Sequence, residues 1–390
     1  MNQSSSLPVR VAVVGVGQRG LQHLSELWRL RESGLVRVVA LCDAWEDNLA
    51  DAKIRRFVTG FDGSGIAKFT SFDQLMVACP FDAAYFCLPP SVHRGEVVKA
   101  AQNGRHVFVE KPMSLYYDEA LEMERAITAS GVVACVGFQL RYDRSAEAVR
   151  TYLADKHLVL MSVTAHGTLE SHSTKHTHTE EIGGPANRVW TANFGWSGSA
   201  MVEAGIHPLD RMRYWGGNIA WVQAAYVPRG ADDIVNDGDN PYVCSAQFGF
   251  DNGALGSLMY SKLRRVYRSD GDEIILWDHG QIKFEADGPV AYYYDGPYPP
   301  EAPPKPEQLR HPIPIPETSD PAPEINHTFL SAVVTGDCSF IRSPFSDAMN
   351  SLAAVLAANA SHVLQGERIV LTQFATEARY APFRRKPVTP

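Results

Sequence analysis

The apolar run VRVAVV ends at Val14 and passes at once into Gly15-Val16-Gly17-Gln18-Arg19-Gly20, a G-x-G-x-x-G string that opens a segment of helical period. Few strings constrain a fold as tightly as a β-branched run, a glycine turn and a helix in direct succession. Gly15 permits the tight turn, Gly17 lets a pyrophosphate approach the backbone, and Gly20 allows close helix packing, with helix N-terminal amides facing the phosphates. Asp43 closes the next apolar run, VRVVALC, where an acidic side chain accepts hydrogen bonds from ribose hydroxyls. A carboxylate there repels a 2′-phosphate, and Ala44-Trp45-Glu46-Asp47 supplies no cation to hold one, so the expected cofactor is NAD rather than NADP. A helix-capping role is the structural alternative for Asp43.

The first 137 residues keep this rhythm: VRVAVV, VRVVALC, AAYFCL, HVFVE and VVACVGF are short, β-branched or aromatic, and separated by helical segments. In LQHLSELWRLRES, Leu21, Leu24, Leu27 and Trp28 share one face and Gly34 is the stop. Strands apolar on both faces imply a parallel sheet covered on both sides. The expected class is α/β: an N-terminal Rossmann domain at 1–137 with a doubly wound parallel sheet, then a C-terminal α+β domain at 138–390. The second domain is expected to hold a largely antiparallel, open-faced sheet with helices on one face. Its strands alternate, with Tyr242, Cys244, Ala246, Phe248 and Phe250 apolar and Ser245 and Gln247 polar between them. Asp251-Asn252-Gly253 and Asp278-His279-Gly280 mark hairpins. Residues 289–323 carry 12 of the 25 prolines, which predicts an extended loop.

Composition narrows the partners. The chain has 36 basic and 44 acidic residues, a net charge of −8, and no Lys/Arg cluster, which argues against nucleic acid and anionic membranes. No apolar run approaches the roughly 20 residues that cross a bilayer, and no basic-then-apolar signal opens the sequence, so a cytoplasmic protein is expected. Cys42, Cys79, Cys87, Cys135, Cys244 and Cys338 are scattered without a C-x-x-C pair and read as reduced residues, not a disulfide framework or a zinc site.

Two further segments carry chemistry. HVFVEKPMS puts Glu110-Lys111-Pro112 at the C-terminal end of a parallel strand, where open α/β sheets bind ligands. In GWSGSAMVEAGIHPLDRMRYWGG, a helix would place Glu203 and His207 on one face, with Asp210 about a turn further on. Taken with GVGQRG, LPPSVH and GFQLRY, these segments resemble the Gfo/Idh/MocA family of glucose-fructose oxidoreductases and inositol dehydrogenases, almost end to end. The resemblance implies that His207 is the base taking a substrate hydroxyl proton, and that Lys111 holds that hydroxyl and balances charge as the alkoxide develops. It also implies that Gln18 and Arg19 border the pyrophosphate, that Leu88, Pro89 and His93 lie on the nucleotide side, and that Glu110 sits beside the nicotinamide. A cis Lys111–Pro112 bond and a homo-oligomer, dimer or tetramer, formed through the open sheet face follow from the same likeness. Glu203 stands where the family most often has Asp, and Ser197-Gly198-Ser199 replaces a triple glycine; both put the substrate in question.

For the substrate side, the segment 166–190 offers His166, His172, Lys175, His176, His178, Arg188 and Trp190 as a loop over the cleft that could grip an anionic substituent. No metal is expected, because hydride transfer to NAD needs none. Arg141 and Tyr142 fall in the family's substrate-proximal segment, with pairing to an acidic neighbour as the alternative for Arg141. The expected activity is oxidation of a ring hydroxyl of a sugar or sugar derivative. One alternative is a redox-neutral NAD-dependent glycosidase acting on an anionic hexoside, sulfoquinovosidase-like; another is a non-catalytic NAD-dependent sensor.

Overall fold

The computed structural model describes residues 7–168, 189–234, 238–263, 270–298, 300, 302–315 and 321–386. Six short strands form the first sheet: β1 (Val9–Val14), β2 (Val36–Cys42), β3 (Ala67–Phe69), β4 (Ala83–Phe86), β5 (His106–Val109) and β6 (Ala134–Val136). All neighbours are parallel, in the order β3-β2-β1-β4-β5-β6. Val11, Ala12, Val13, Ala83, Ala84, Tyr85 and Phe86 are fully buried, as the continuous apolar runs require of a sheet covered on both faces. The strand order reverses between β1 and β4, so a crevice opens outside their carboxyl ends. The first helix, Gln18–Leu30, buries Leu21, Leu24 and Leu27, and Gly34 ends the turn after it at φ +74°.

The second sheet has nine strands: β7 (Leu158–Thr168), β8 (Ile219–Val227), β9 (Val243–Phe250), β10 (Leu255–Leu263), β11 (Asp270–Trp277), β12 (Gly280–Glu285), β13 (Gly288–Tyr292), β14 (Arg310–Pro312) and β15 (Ile369–Val370). The two expected hairpins join β9 to β10 and β11 to β12, and every pairing is antiparallel except β7 with β10. Cys244, Ala246, Phe248 and Phe250 face the core while Ser245 and Gln247 are exposed. The buried helix Phe345–Val363 lies against β8, and the opposite sheet face exposes Val159, Val227 and Leu255.

Residues 289–323 are not one extended loop. They include most of β13, the short helix Pro306–Leu309, β14 and the start of the helix Pro321–Thr335. Three of the prolines stand where no donor is missed: Pro306 and Pro321 begin helices, and Pro312 ends an outermost strand. The helix Pro321–Thr335 covers the first sheet, with Phe329 set edge-on to Tyr85 and Phe108. All six cysteines are free; Cys338 is exposed, Cys79 partly so, and the other four are buried. Among the described residues no helix is long and apolar enough to cross a membrane.

Candidate active site

A cleft of about 1250 Å³ runs over the carboxyl ends of the first sheet and reaches the second lobe. The glycine turn forms its floor. Gly15 adopts φ +89°, and a Cβ there would lie 2.5 Å from the carbonyl oxygen of Cys87. At Gly20 a Cβ would lie 1.9 Å from the carbonyl oxygen of Gly15, so the helix could not approach the turn. Above Gly17 no heavy atom lies within 4 Å, which leaves open the space that a pyrophosphate needs. These residues fit a dinucleotide.

Asp43 lines the same cleft and also holds its walls together. Its carboxylate accepts the Val16 amide proton (2.7 Å) and the Trp45 amide proton (2.9 Å), joining the first turn to the second. The helical turn that follows, Glu46–Leu49, begins after Trp45 and has no side-chain cap, so Asp43 joins two loops and caps no helix, while its place in the cleft wall is compatible with a ribose role. Asp43→Ala removes two loop bonds and the carboxylate proposed to accept from the ribose, and is expected to weaken NAD by about 10- to 100-fold while narrowing the preference over NADP. Calorimetric titration with both nucleotides measures this; unchanged selectivity would count against the ribose role.

Gln18, Arg19, Leu88 and Pro89 also line the cleft. His93, expected on the nucleotide side, does not. It is buried, with Nδ1 2.6 Å from Glu96 Oε1, and Glu96 also accepts the Arg94 amide proton (2.7 Å). His93 thus braces the start of the helix Glu96–Gln102 from behind.

Glu110 is the hub of a buried network. It accepts from Arg19 Nε (2.8 Å) and lies 2.7 Å from His23 Nε2, while His23 Nδ1 lies 3.0 Å from Asn326 Oδ1 on the helix Pro321–Thr335. Arg19 also donates to the side chain of Gln139. Burial would raise the Glu110 carboxyl, yet Arg19, His23 and Lys111 hold it well below the usual carboxylate range. Gly137 makes room for it, since a Cβ there would sit 2.6 Å from Glu110 Oε1. Gly137→Ala is expected to cost roughly 1–3 kcal/mol by forcing this buried group aside, seen as a lower thermal midpoint. An unshifted midpoint would show that the network yields.

Lys111 follows, its bond to Pro112 cis as the resemblance implied. Its ammonium reaches across to the second lobe, donating to the Glu203 carbonyl (2.9 Å) and lying 3.7 Å from the Glu203 carboxylate. Glu203 and His207 do not share a continuous helix. The helices Ala200–Glu203 and Ile206–Gly216 break at Ala204-Gly205, and a Cβ on Gly205 would lie 2.6 Å from the Met201 carbonyl. Both side chains nonetheless line the cleft beside Lys111. Burial and then the Lys111 ammonium push the His207 imidazole well below its usual pKa, against the pull of Glu203 and Glu110. Its Nδ1 is buried with no hydrogen-bond partner among the described residues.

The turn that delivers Glu203 is strained. Ser199 sits at φ +133°, a region that glycine enters freely and other residues do not. Its hydroxyl donates to Asn359 Oδ1 (2.9 Å), Tyr226 donates to the same oxygen (2.9 Å), and the Asn359 amide donates to the Gly198 carbonyl. The helix Phe345–Val363 thereby clamps the strained turn, and the Glu203 amide bonds back to Ser199 (2.9 Å).

Arg141 and Tyr142 are not in the cleft wall. Arg141 Nε and Nη2 donate to the two oxygens of Asp210, both at 2.7 Å, and Nη1 lies 2.6 Å from Asp347. Tyr142 is fully buried, its hydroxyl accepting the Arg342 amide proton (3.0 Å). Burial of the arginine demanded acidic partners, and Asp210 turns toward it instead of the cleft. Lys175, His176, His178 and Arg188 lie outside the described residues, as does His172. Trp190 belongs to the short helix Val189–Ala192. His166, on β7, bonds to Ser261 (3.0 Å). Among the described residues no His, Cys, Asp and Glu group is arranged to hold a metal. Cleft residues not anticipated from sequence include Trp45, Gln139 and Trp196. Gln139 lies inside GFQLRY and Trp196 at the start of GWSGSAMVEAGIHPLDRMRYWGG, two of the segments already singled out, and Trp45 stands two residues after Asp43.

Residues 9–138 match the Gfo/Idh/MocA family, described as an oxidoreductase family with an NAD-binding Rossmann fold. The chain is 26% identical over 203 residues to the uncharacterized oxidoreductase YrbE of Bacillus subtilis (strain 168), covering 52% of each chain. It thus spans about half the length of that relative. It is 28% identical over 267 residues to scyllo-inositol 2-dehydrogenase (NAD(+)) of the same strain, covering 65% of this chain and 67% of the relative. Among solved structures, the WlbA dehydrogenase from Bordetella pertussis, in complex with NADH and UDP-GlcNAcA, superposes with a TM-score of 0.71 at 19% identity, covering 93% of this chain and 98% of the other. At that identity the likeness establishes the fold.

Proposed function

We propose that the chain, whose residues 9–138 match an oxidoreductase family with an NAD-binding Rossmann fold, oxidises a ring hydroxyl of a sugar or sugar derivative. The observation that carries this reading is the convergence of Lys111 from one lobe with Glu203 and His207 from the other, at one end of a cleft whose floor is the glycine turn. Bound NAD supplies the hydride acceptor. The chain's own residues handle the proton and the charge.

His207, kept neutral by burial and by Lys111, is ready to take the hydroxyl proton at neutral pH. Lys111 stabilises the developing alkoxide, and Glu203 fixes the ammonium through its carbonyl and balances its charge. Gln18, Arg19 and Asp43 serve the dinucleotide. The exposed face of the second sheet supports a homo-oligomer, which light scattering would report as a mass above that of one chain.

Acid should abolish activity in a defined direction. A depressed imidazole protonates only below the usual value of about 6.5, so the acid limb of kcat/KM is expected below that pH. Protonation also favours the unfolded chain here, so this residue's contribution to stability is present above about pH 6.5 and is lost as pH falls toward the depressed value. A pH-rate profile with an acid limb at or above 6.5 would contradict the assignment.

The reaction itself is tested with purified protein, NAD, free sugars, cyclitols and aryl glycosides. Stoichiometric NADH supports the proposal. Aglycone release without NADH would indicate the redox-neutral glycosidase route instead, and NAD binding with neither signal would indicate a sensor.

A further inference from the structure

We propose that Trp196 is the platform on which a cyclic sugar lies, and so a specificity-determining residue of the cleft. The contact rests on the ring-hydroxyl reading above for its purpose but not for its existence. Trp196 lies in the short helix Phe194–Ser197, and its amide donates to Asn193 Oδ1 (3.1 Å). The next residues are locked. Ser197 is buried, with its hydroxyl donating to the Asn193 carbonyl (2.8 Å) and accepting from Asn240 (3.1 Å), and a Cβ on Gly198 would meet Leu115 at 2.9 Å. Two residues later comes the clamped turn at Ser199 that carries Glu203. The position of the indole is therefore tied through a short rigid stretch to Glu203, which holds Lys111.

On this fixed base the side chain stays 56% exposed, yet lines the cleft together with Lys111, Gln139, Glu203 and His207. Tryptophan is normally well buried, and a large apolar face left open inside a cleft beside polar groups has the make-up of a ligand wall. Phe194, two residues earlier, is 38% exposed but is not part of that wall.

The chemistry selects the ligand class. A pyranose or cyclitol has a ring face of weakly positive C–H groups and a rim of hydroxyls. The C–H face suits the negative π face of an indole, and the rim suits an ammonium, a carboxylate, an imidazole and an amide. A linear polyol or small hydroxy acid has no such face.

The test uses the full-length protein with NAD, comparing Trp196→Ala and Trp196→Phe with the unaltered chain on methyl glucopyranosides, myo-inositol and sorbitol. For the cyclic compound that reacts best, Trp196→Ala is expected to raise KM by about 10- to 50-fold with kcat within a few-fold, while Trp196→Phe recovers most of the loss. NAD affinity should not move, and sorbitol should show no dependence on the ring at 196. A cyclic sugar should also quench indole fluorescence in the unaltered protein but not in Trp196→Phe. NADH formation with unchanged KM in Trp196→Ala would overturn the platform and leave the dehydrogenase reading standing. Quenching that depends on Trp196 without NADH would do the reverse, and neither quenching nor NADH with any cyclic compound would overturn both.

Discussion

Lys111→Ala is expected to lower kcat about 1000-fold while leaving the NAD dissociation constant nearly unchanged. The size follows from what the ammonium does. It is nearly buried, donates to the Glu203 carbonyl, and lines the cleft with His207, the base of the proposed reaction, so alkoxide charge would develop next to it. Among the cleft cations, Arg19 is committed to Glu110 and Gln139. Burial depresses His207 most and the Lys111 charge next; the variant removes that charge, so any residual activity should show its acid limb at higher pH than the unaltered enzyme. Steady-state kinetics with separate NAD titration measures both effects; full activity would refute the role of Lys111.

Arg141→Ala should damage stability, not substrate binding. Among the described residues it leaves Asp210 buried with only the Ser351 hydroxyl (2.6 Å) and the more distant Arg213 guanidinium (3.9 Å) beside it. Removing one member of a buried ion pair strands the other charge, a loss of about 3–5 kcal/mol. Asp347 loses one of its two arginines at the same time, and the Arg342 carbonyl loses a donor (2.7 Å). Urea unfolding should show the lower midpoint, and KM measured well below that midpoint should be unchanged. A raised KM with intact stability would return Arg141 to the substrate side.

What was legible in the sequence was what depends on neighbours along the chain. The turn at Gly15 to Gly20, the buried strands, Asp43 at the end of β2 and Lys111 beyond the end of β5 all follow from local period and glycine geometry. Features that depend on distant residues were not. Four-residue spacing between Glu203 and His207 suits one helix or two, and only the close approach of Gly205 to Met201 decides for a break. Glu110 gathers Arg19 and His23 from the first helix and finds room beside Gly137 after β6, both far from it in sequence, so nothing near EKP announces the network. Arg141 is expected on the substrate side, with an acidic partner as the alternative, and its partners Asp210 and Asp347 come from distant segments. Ser199 shows a different limit: a residue type that argues against a glycine-like conformation is held in one by Asn359, which is far away in sequence. Prolines between 289 and 323 suggested a loop because proline disfavours regular structure in general, yet helix starts and outermost strand ends tolerate it.

In the proposed reaction Lys111 and His207, from opposite lobes, face one nicotinamide. A crystal structure of the NAD complex tests it most directly. The expected result is a nicotinamide ring in contact with both side chains and a pyrophosphate over Gly17; a nicotinamide lying elsewhere, or one that leaves His207 and Lys111 on opposite sides of the cleft, would contradict it.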